Sequence, residues 1–312
     1  MCYSAQIETD YRKYTREFGA QLSLEEFVNL YWRRRADPKV KIPKAMELAF
    51  AQPENAPERE IKNIVDEFNL QQATRFEAEL FTQRKRLADA ERTLQTKTTK
   101  AAIESKRIAP DKIEQTLRRL ADLRRTELKD RDARIYPGYY APVIVMEQGQ
   151  RVVKPMRYQC RPAGKPAFYD TQYPGTYNAR RDNLTGFWKT LFGHSHGILI
   201  VNAFYENVDR TGPDGTVSNE VLEFKPRPTQ DMLVSCLWSR WSKEGEPDLL
   251  SFAAITDEPP AEVAAAGHDR CIIPIRSENV DAWLNPNPQD LAAQFAILDD
   301  RERPYYEHRL AA

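Results

Sequence analysis

Apolar residues recur at Phe76, Leu80, Leu87 and Leu94, and again at Ile113, Leu117, Leu120 and Leu128. Steps of three, four and seven put such positions on one stripe of a helix. Glycine is absent from 58 to 134 and charged residues are dense there. The pattern predicts two long antiparallel helices, a coiled-coil-like hairpin over 58–134. The stretch KTTKAAIESKRIAPD, with a proline and few periodic apolar positions, is the expected connection. From Arg134 the period changes. IYPGYYAPVIVM, RVVKPMRYQC, HGILIVNAFYENV, VLEFKPRP, DMLVSCLWSRW, LLSFAAIT and RCIIPI are short apolar runs divided by turn residues, and they read as strands. Helices are expected over 178–192, 258–266 and 280–284. Another is expected over 24–35, where Ser23 and Glu26 have capping-box spacing. The expected fold is α+β with a largely antiparallel sheet formed by 1–50 and 135–295, interrupted by the hairpin. Residues 296–312 read as a loosely attached tail.

Composition narrows the classes. The chain has 312 residues, 46 Lys+Arg against 46 Asp+Glu, and 41% hydrophobic residues. It can build a core, so wholesale disorder is not expected. Charge balance excludes a protein that coats nucleic acid nonspecifically but not a local basic groove. No run approaches the ~18 to 20 apolar residues of a membrane helix. The first twenty residues lack the apolar stretch of a signal peptide, so no membrane partner and a cytoplasmic location are expected. Cys2, Cys160, Cys236 and Cys271 form no CxxC pair. Cys160, Cys236 and Cys271 read as structural. The run Arg33–Arg34–Arg35 fits a solvated helix face or a phosphate contact. The hairpin fits a structural insertion or an arm that contacts a protein partner or DNA.

Common nucleotide-binding and hydrolase motifs are absent. His194 and His196 would share a strand face, but no third ligand stands nearby, so no metal or other cofactor is expected. Cys2 follows Met1. Removal of Met1 would leave a chain beginning with an amine and a thiol on adjacent carbons. The α-amine has a pKa of about 7.7 to 8.0, so part of it is neutral at pH 7 and can attack an aldehyde. The thiol can then close onto the imine as a thiazolidine. The same cysteine could equally be an autoprocessing nucleophile.

Four segments occur in a telling order: MCYSAQ at the start, YNARRDN at 177–183, ILIVNAFYENV at 198–208 and AGHDRCIIPI at 266–275. Together they resemble the SRAP family (SOS response-associated peptidase, which includes abasic-site shield proteins). Its members begin MCGR, carry NARxET, end a strand in GFYEW, and have HxRMP near the end. Cys2 matches the family nucleophile, Asn178 and Arg180 the NAR segment, Glu206 the glutamate of FYE, and His268 and Arg270 the HxR segment. VLEFKPRP, CLWSRW and DAWLNP resemble further family segments. The likeness covers 1 to about 30 and about 135–285 and leaves the hairpin outside. There are departures: Ser4 stands for the MCGR arginine, Asp182 and Asn183 for Glu and Thr, Tyr158 for a base-stacking Trp, Asn207 for the Trp of FYEW, and Cys271 for Met.

The resemblance implies a barrel-like core and a sensor that traps abasic sites in single-stranded DNA by a Cys2 thiazolidine, protecting the site during SOS-associated repair. Asn178 would orient the amine, Glu206 would shuttle protons, and His268 would stabilise the opened sugar. Arg157, Arg180, Arg181 and Arg270 are the candidate phosphate contacts, and Tyr158, Phe187 and Trp188 the candidate stacking rings. Strand cleavage by β-elimination and self-cleavage before Cys2 are implied side activities, and nucleoid association on DNA damage would follow. On the residues alone, Glu206 could be a solvated strand end, His268 a surface loop residue and Asn178 a helix cap. An N-terminal-Cys autopeptidase or protein hydrolase, and a non-catalytic protein working through the hairpin, are the competing readings.

Overall fold

The structure, a computed structural model, describes residues 3–212 and 214–311. Cys2 lies outside them. The chain divides into two compact units, Met1–Gln52 with Lys129–Ala312, and Pro53–Leu128.

The larger unit opens with β1 (Ser4–Ile7), α1 (Tyr11–Phe18), β2 (Gln21–Leu22), α2 (Leu24–Ala36) and α3 (Lys44–Leu48). The smaller unit holds α4 (Ala56–Thr96) and α5 (Lys100–Arg124). The chain then returns to the larger unit with β3 (Arg134–Ile135), β4 (Tyr140–Glu147), β5 (Gln150–Tyr158), α6 (Tyr169–Gln172) and β6 (Asn178–Arg180). Four long strands follow: β7 (His196–Thr211), β8 (Val217–Arg227), β9 (Met232–Lys243) and β10 (Glu246–Asp257). The end is α7 (Ala261–Ala265), β11 (Cys271–Ile272), α8 (Val280–Leu284), α9 (Leu291–Asp299) and β12 (Tyr305–Leu310).

The expected α+β class holds, and the pairings give it a shape. β4 pairs with β5, β5 with β10, β10 with β9, β9 with β7, and β7 with β4, which closes a five-stranded circuit. Closure leaves these strands without free edges. At Gly197 a side chain would meet Val143 Cγ1 at 2.9 Å and Cys236 Sγ at 3.2 Å, so only glycine lets β4 and β9 close on β7 there. Sixteen residues make β7 long enough to serve two sets of neighbours. Its first half, from His196 to Val201, belongs to the closed circuit. Its second half pairs with β1 on one side and β8 on the other.

Several expectations need correction. The helix expected over 178–192 does not form. Asn178–Arg180 pairs in parallel with β10, because the register Asn178↔Ala254 offers the backbone a sheet partner. The hairpin connection is three residues, not fifteen: Thr99 caps α5 by accepting from the Ala102 N–H, and Pro110 lies inside that helix. An internal proline costs about 3 kcal/mol. The packed stripe Ala102, Ala109, Thr116, spaced by seven, runs through it and carries the helix across. That stripe of small residues forms the seam, while Leu117 and Leu128 stay exposed. Ser23 precedes α2 as expected but makes no side-chain cap. The tail is not loose, since β12 pairs with β8 along its whole length and buries Tyr306. Among the described residues no helix is long and apolar enough to cross a membrane.

Candidate functional site

Glu206 sits on the second half of β7, opposite Leu222 of β8, and is fully buried. A carboxylate there costs free energy unless it is paired. Its partner comes from the loop after α7. Gly267 turns through φ +98°, and a side chain there would meet Val208 Cγ1 at 2.8 Å. The left-handed turn therefore lets the loop lie against β7 two residues beyond Glu206. His268 Nε2 then stands 3.0 Å from Glu206 Oε2.

The other ring nitrogen lies between two groups of one residue. His268 Nδ1 is 3.3 Å from the Arg270 N–H and 2.9 Å from the Arg270 carbonyl. Neutral His268 can accept at Nδ1 from the Arg270 amide. Protonated His268 can donate from Nδ1 to the Arg270 carbonyl, with its charge within ion-pair distance of Glu206. Nδ1 has a main-chain partner in both protonation states, which suits a group that passes protons. Burial pulls the His268 pKa below the ordinary histidine value, with the Arg270 carbonyl opposing it.

Asn178 is buried at 6% exposure, and neither Nδ2 nor Oδ1 has a hydrogen-bond partner among the described residues. An unmet buried amide costs about 1 to 3 kcal/mol per lost partner, so the position is set up for a group that arrives. The segment around it meets the His268 loop electrostatically. The Arg180 hydrogen bond holds Asp182 below the usual carboxylate range, with the Arg270 charge adding to it, and Asp269 acts in turn on Arg180.

The start of the chain reaches the same surroundings. Ser4 pairs with Tyr205, next to Glu206. Tyr3 packs edge-on against Tyr177, next to Asn178, with ring centres 6.3 Å apart. Three residues missed in the sequence hold β1 there. Arg134 donates from Nε to Ser4 Oγ at 3.0 Å and lies 3.7 Å over the Tyr205 ring. The Tyr205 hydroxyl is 2.9 Å from Glu223 Oε1, to which it donates.

The candidate nucleic-acid contacts divide. Tyr158 is corrected: it is 2% exposed, stacked on Phe252, and has no free face for a base. Trp188 is corrected too, at 3% exposure, whereas its neighbour Phe187 is 43% exposed. Arg157 is tied to Asp170 at 2.7 Å and Arg181 to Asp299 at 2.5 Å, so neither is a free cation. Arg180 is exposed but tied to Asp182 at 2.5 Å through two hydrogen bonds, so it is not a free cation either, and Arg270 is half-exposed. Cys160, Cys236 and Cys271 are buried, and burial pushes the Cys160 thiol up to about 12. His196 accepts from the Gly193 N–H at 2.8 Å and donates to the Trp283 carbonyl at 3.0 Å, so both nitrogens are used. Among the described residues no group of three or more His, Cys, Asp or Glu side chains is arranged to hold a metal ion.

A profile of the family described as SOS response associated peptidase (SRAP) matches residues 96–309. No curated protein matches the chain. Solved structures similar to it include a protein from Bordetella bronchiseptica (17% identity, 58% of this chain and 87% of that one, TM-score 0.45). Others are a protein from Bacteroides thetaiotaomicron (14%, 58% and 78%, 0.47) and a phage-related protein from Bordetella bronchiseptica (16%, 61% and 85%, 0.44).

Proposed function

The chain belongs to the SOS response associated peptidase (SRAP) family, and from that premise we propose that it captures abasic sites in single-stranded DNA through Cys2. Membership ties the chain to the SOS response and so to DNA damage. The observation that carries the finer reading is the Glu206–His268 contact at 3.0 Å, with the unpartnered buried amide of Asn178 on β6.

The chemistry follows from the groups. With Met1 removed, the Cys2 amine attacks the C1′ aldehyde of an opened abasic sugar. The carbinolamine loses its hydroxyl as water, and the proton for that departure comes from the Glu206–His268 pair. The Cys2 thiolate adds to C1′ of the imine, the thiol proton ends on nitrogen, and a thiazolidine closes. Asn178 gives the incoming amine or sugar oxygen a hydrogen-bond partner. Proton transfer from positioned groups contributes roughly 10²- to 10⁴-fold. Arg270 supplies charge for the strand, Arg180 adds to it by exchanging Asp182 for a phosphate, and Phe187 gives a flat exposed side chain.

The test is a denaturing gel with purified protein and an abasic oligonucleotide. A retarded band that is lost in Cys2→Ala, and is absent with undamaged strand, supports the proposal. No band, or a band that persists in Cys2→Ala, rejects it. If intact mass shows Met1 removed from the wild-type chain but retained in Glu206→Gln or His268→Ala, the autopeptidase reading takes over.

A further inference from the structure

The two halves of the hairpin carry opposite charge. Residues 84–112, around the turn between α4 and α5, hold nine Lys and Arg against four Asp and Glu, a net of +5. The rest of Pro53–Leu128 holds seven against ten, a net of −3. The chain as a whole is neutral, so this is segregation and not a general excess.

Pairing sharpens the contrast. Away from the turn, Lys62, Arg118, Arg124 and Arg125 each face a carboxylate: Asp66, Glu114, Glu77 and Asp122. Near the turn, Asp89 and Glu104 are taken up by Arg92 and Arg107. Arg86 is half-buried and bonded to Ser105. That leaves Arg84, Lys85, Lys97, Lys100, Lys106 and Lys112 exposed, with no carboxylate within ion-pair distance among the described residues. At 1.5 Å per residue, 85 to 97 on one helix and 100 to 112 on the other each span about 18 Å. Like charges gathered over that length repel, which disfavours the arrangement unless an anion meets it.

We propose that the turn end of the hairpin is a binding surface for the phosphate backbone of nucleic acid. A membrane surface is the poorer fit. A helix lying on lipid needs an apolar face beside its basic one. Here the seam residues Ala90, Ala102 and Ala109 are buried, Leu87, Leu94 and Ile108 are half-buried, and Ile103 is the single large apolar side chain of 84–112 that is exposed, too little for an apolar face. Thr98, Thr99 and Ser105 stand among the cations and can donate to phosphate oxygens, whereas Thr93 and Thr96 donate to carbonyls of their own helix. The inference goes beyond the abasic-site reading, because this surface needs no aldehyde and would hold undamaged strand. Each engaged cation contributes about 0.7 to the slope of log affinity against log salt for a single strand.

The experiment uses the full chain with Arg84, Lys85, Lys97, Lys100, Lys106 and Lys112 all changed to Gln, which keeps helix propensity. A matched control changes Arg59, Lys62, Arg75, Arg118, Arg119 and Arg124 to Gln, the same loss of charge elsewhere on the hairpin. Helicity by circular dichroism checks that both fold. Binding of an undamaged single-stranded oligonucleotide is followed by fluorescence anisotropy across about 50 to 200 mM salt. The proposal expects the turn variant to lose at least about tenfold in affinity and about 2 or more in salt slope, while the control keeps both. An unchanged turn variant, an equal loss in the control, or binding to phosphatidylserine vesicles without binding to the oligonucleotide overturns it. Failure here leaves the Cys2 crosslink untouched, since that is read separately on an abasic strand.

Discussion

Two buried histidines stand on or against the same strand, and their surroundings have little in common. His196, at the start of β7, is stacked between Phe192 and Trp283 with ring centres 5.4 and 4.0 Å away. Both its nitrogens are spent on backbone groups, and burial lowers its pKa to about 3. His268 meets the other half of β7, shares a contact with the fully buried Glu206, and has a main-chain partner for either protonation state. The first histidine is a fixed, neutral part of the closed circuit. The second can change its proton count without losing its bonds. Burial alone does not mark a functional histidine; what its partners permit does.

The largest effect that would separate the two sites is on rate. Glu206→Gln keeps an acceptor for His268 but removes the carboxyl, so single-turnover crosslinking to an abasic oligonucleotide should slow about 10²-fold or more, with the melting temperature nearly unchanged. A fast Glu206→Gln would remove the pair from the mechanism. The reverse pattern is expected of His196→Ala. It opens a cavity and strands the Gly193 N–H and the Trp283 carbonyl, which should cost about 3 to 5 kcal/mol in denaturant unfolding. The folded fraction should still crosslink at the normal rate.

One part of the pH dependence of stability comes from His196, and His268, lowered in the same direction, adds to it. The folded pKa of His196 lies below the unfolded value near 6.5, so the unfolded chain binds the extra proton first. Stability should be complete above about pH 6.5 and should fall as pH drops toward 3. The contribution at stake is on the order of 5 kcal/mol. Urea titrations at several pH values should show that fall, and in His196→Leu it should be shallower, with the shares of His268, Asp170 and Glu223 remaining. The smallest expected effect is at the rim. Arg180→Ala breaks an exposed pair with Asp182, so unfolding should change by no more than about 0.5 kcal/mol, while crosslinking loses part of its salt dependence.

The sequence and the structure agree where one residue type dictates local form. The apolar runs with β-branched residues became strands, and α8 formed over the predicted 280–284. They part where a distant partner decides. Asn178 looks like a helix start until β10 offers it a parallel register. Tyr158 and Trp188 are as aromatic as Phe187, and only packing tells which one faces solvent. Arg157 and Arg181 look like phosphate ligands, but Asp170, 13 positions on, and Asp299, 118 positions on, pair with them, and no periodicity announces either pair. Glu206 and His268 are 62 positions apart, and no periodicity joins them. The order of family segments pointed to both, and the turn at Gly267 against Val208 is the physical reason they meet.

The central claim is that a Cys2 aminothiol closes on an abasic aldehyde beside the Glu206–His268 pair. Its most direct test is mass spectrometry of the adduct. The account predicts a species equal to the protein without Met1 plus the oligonucleotide less one water, with the link mapped to the peptide that begins at Cys2. A link at a lysine, or on a chain that still carries Met1, would contradict it.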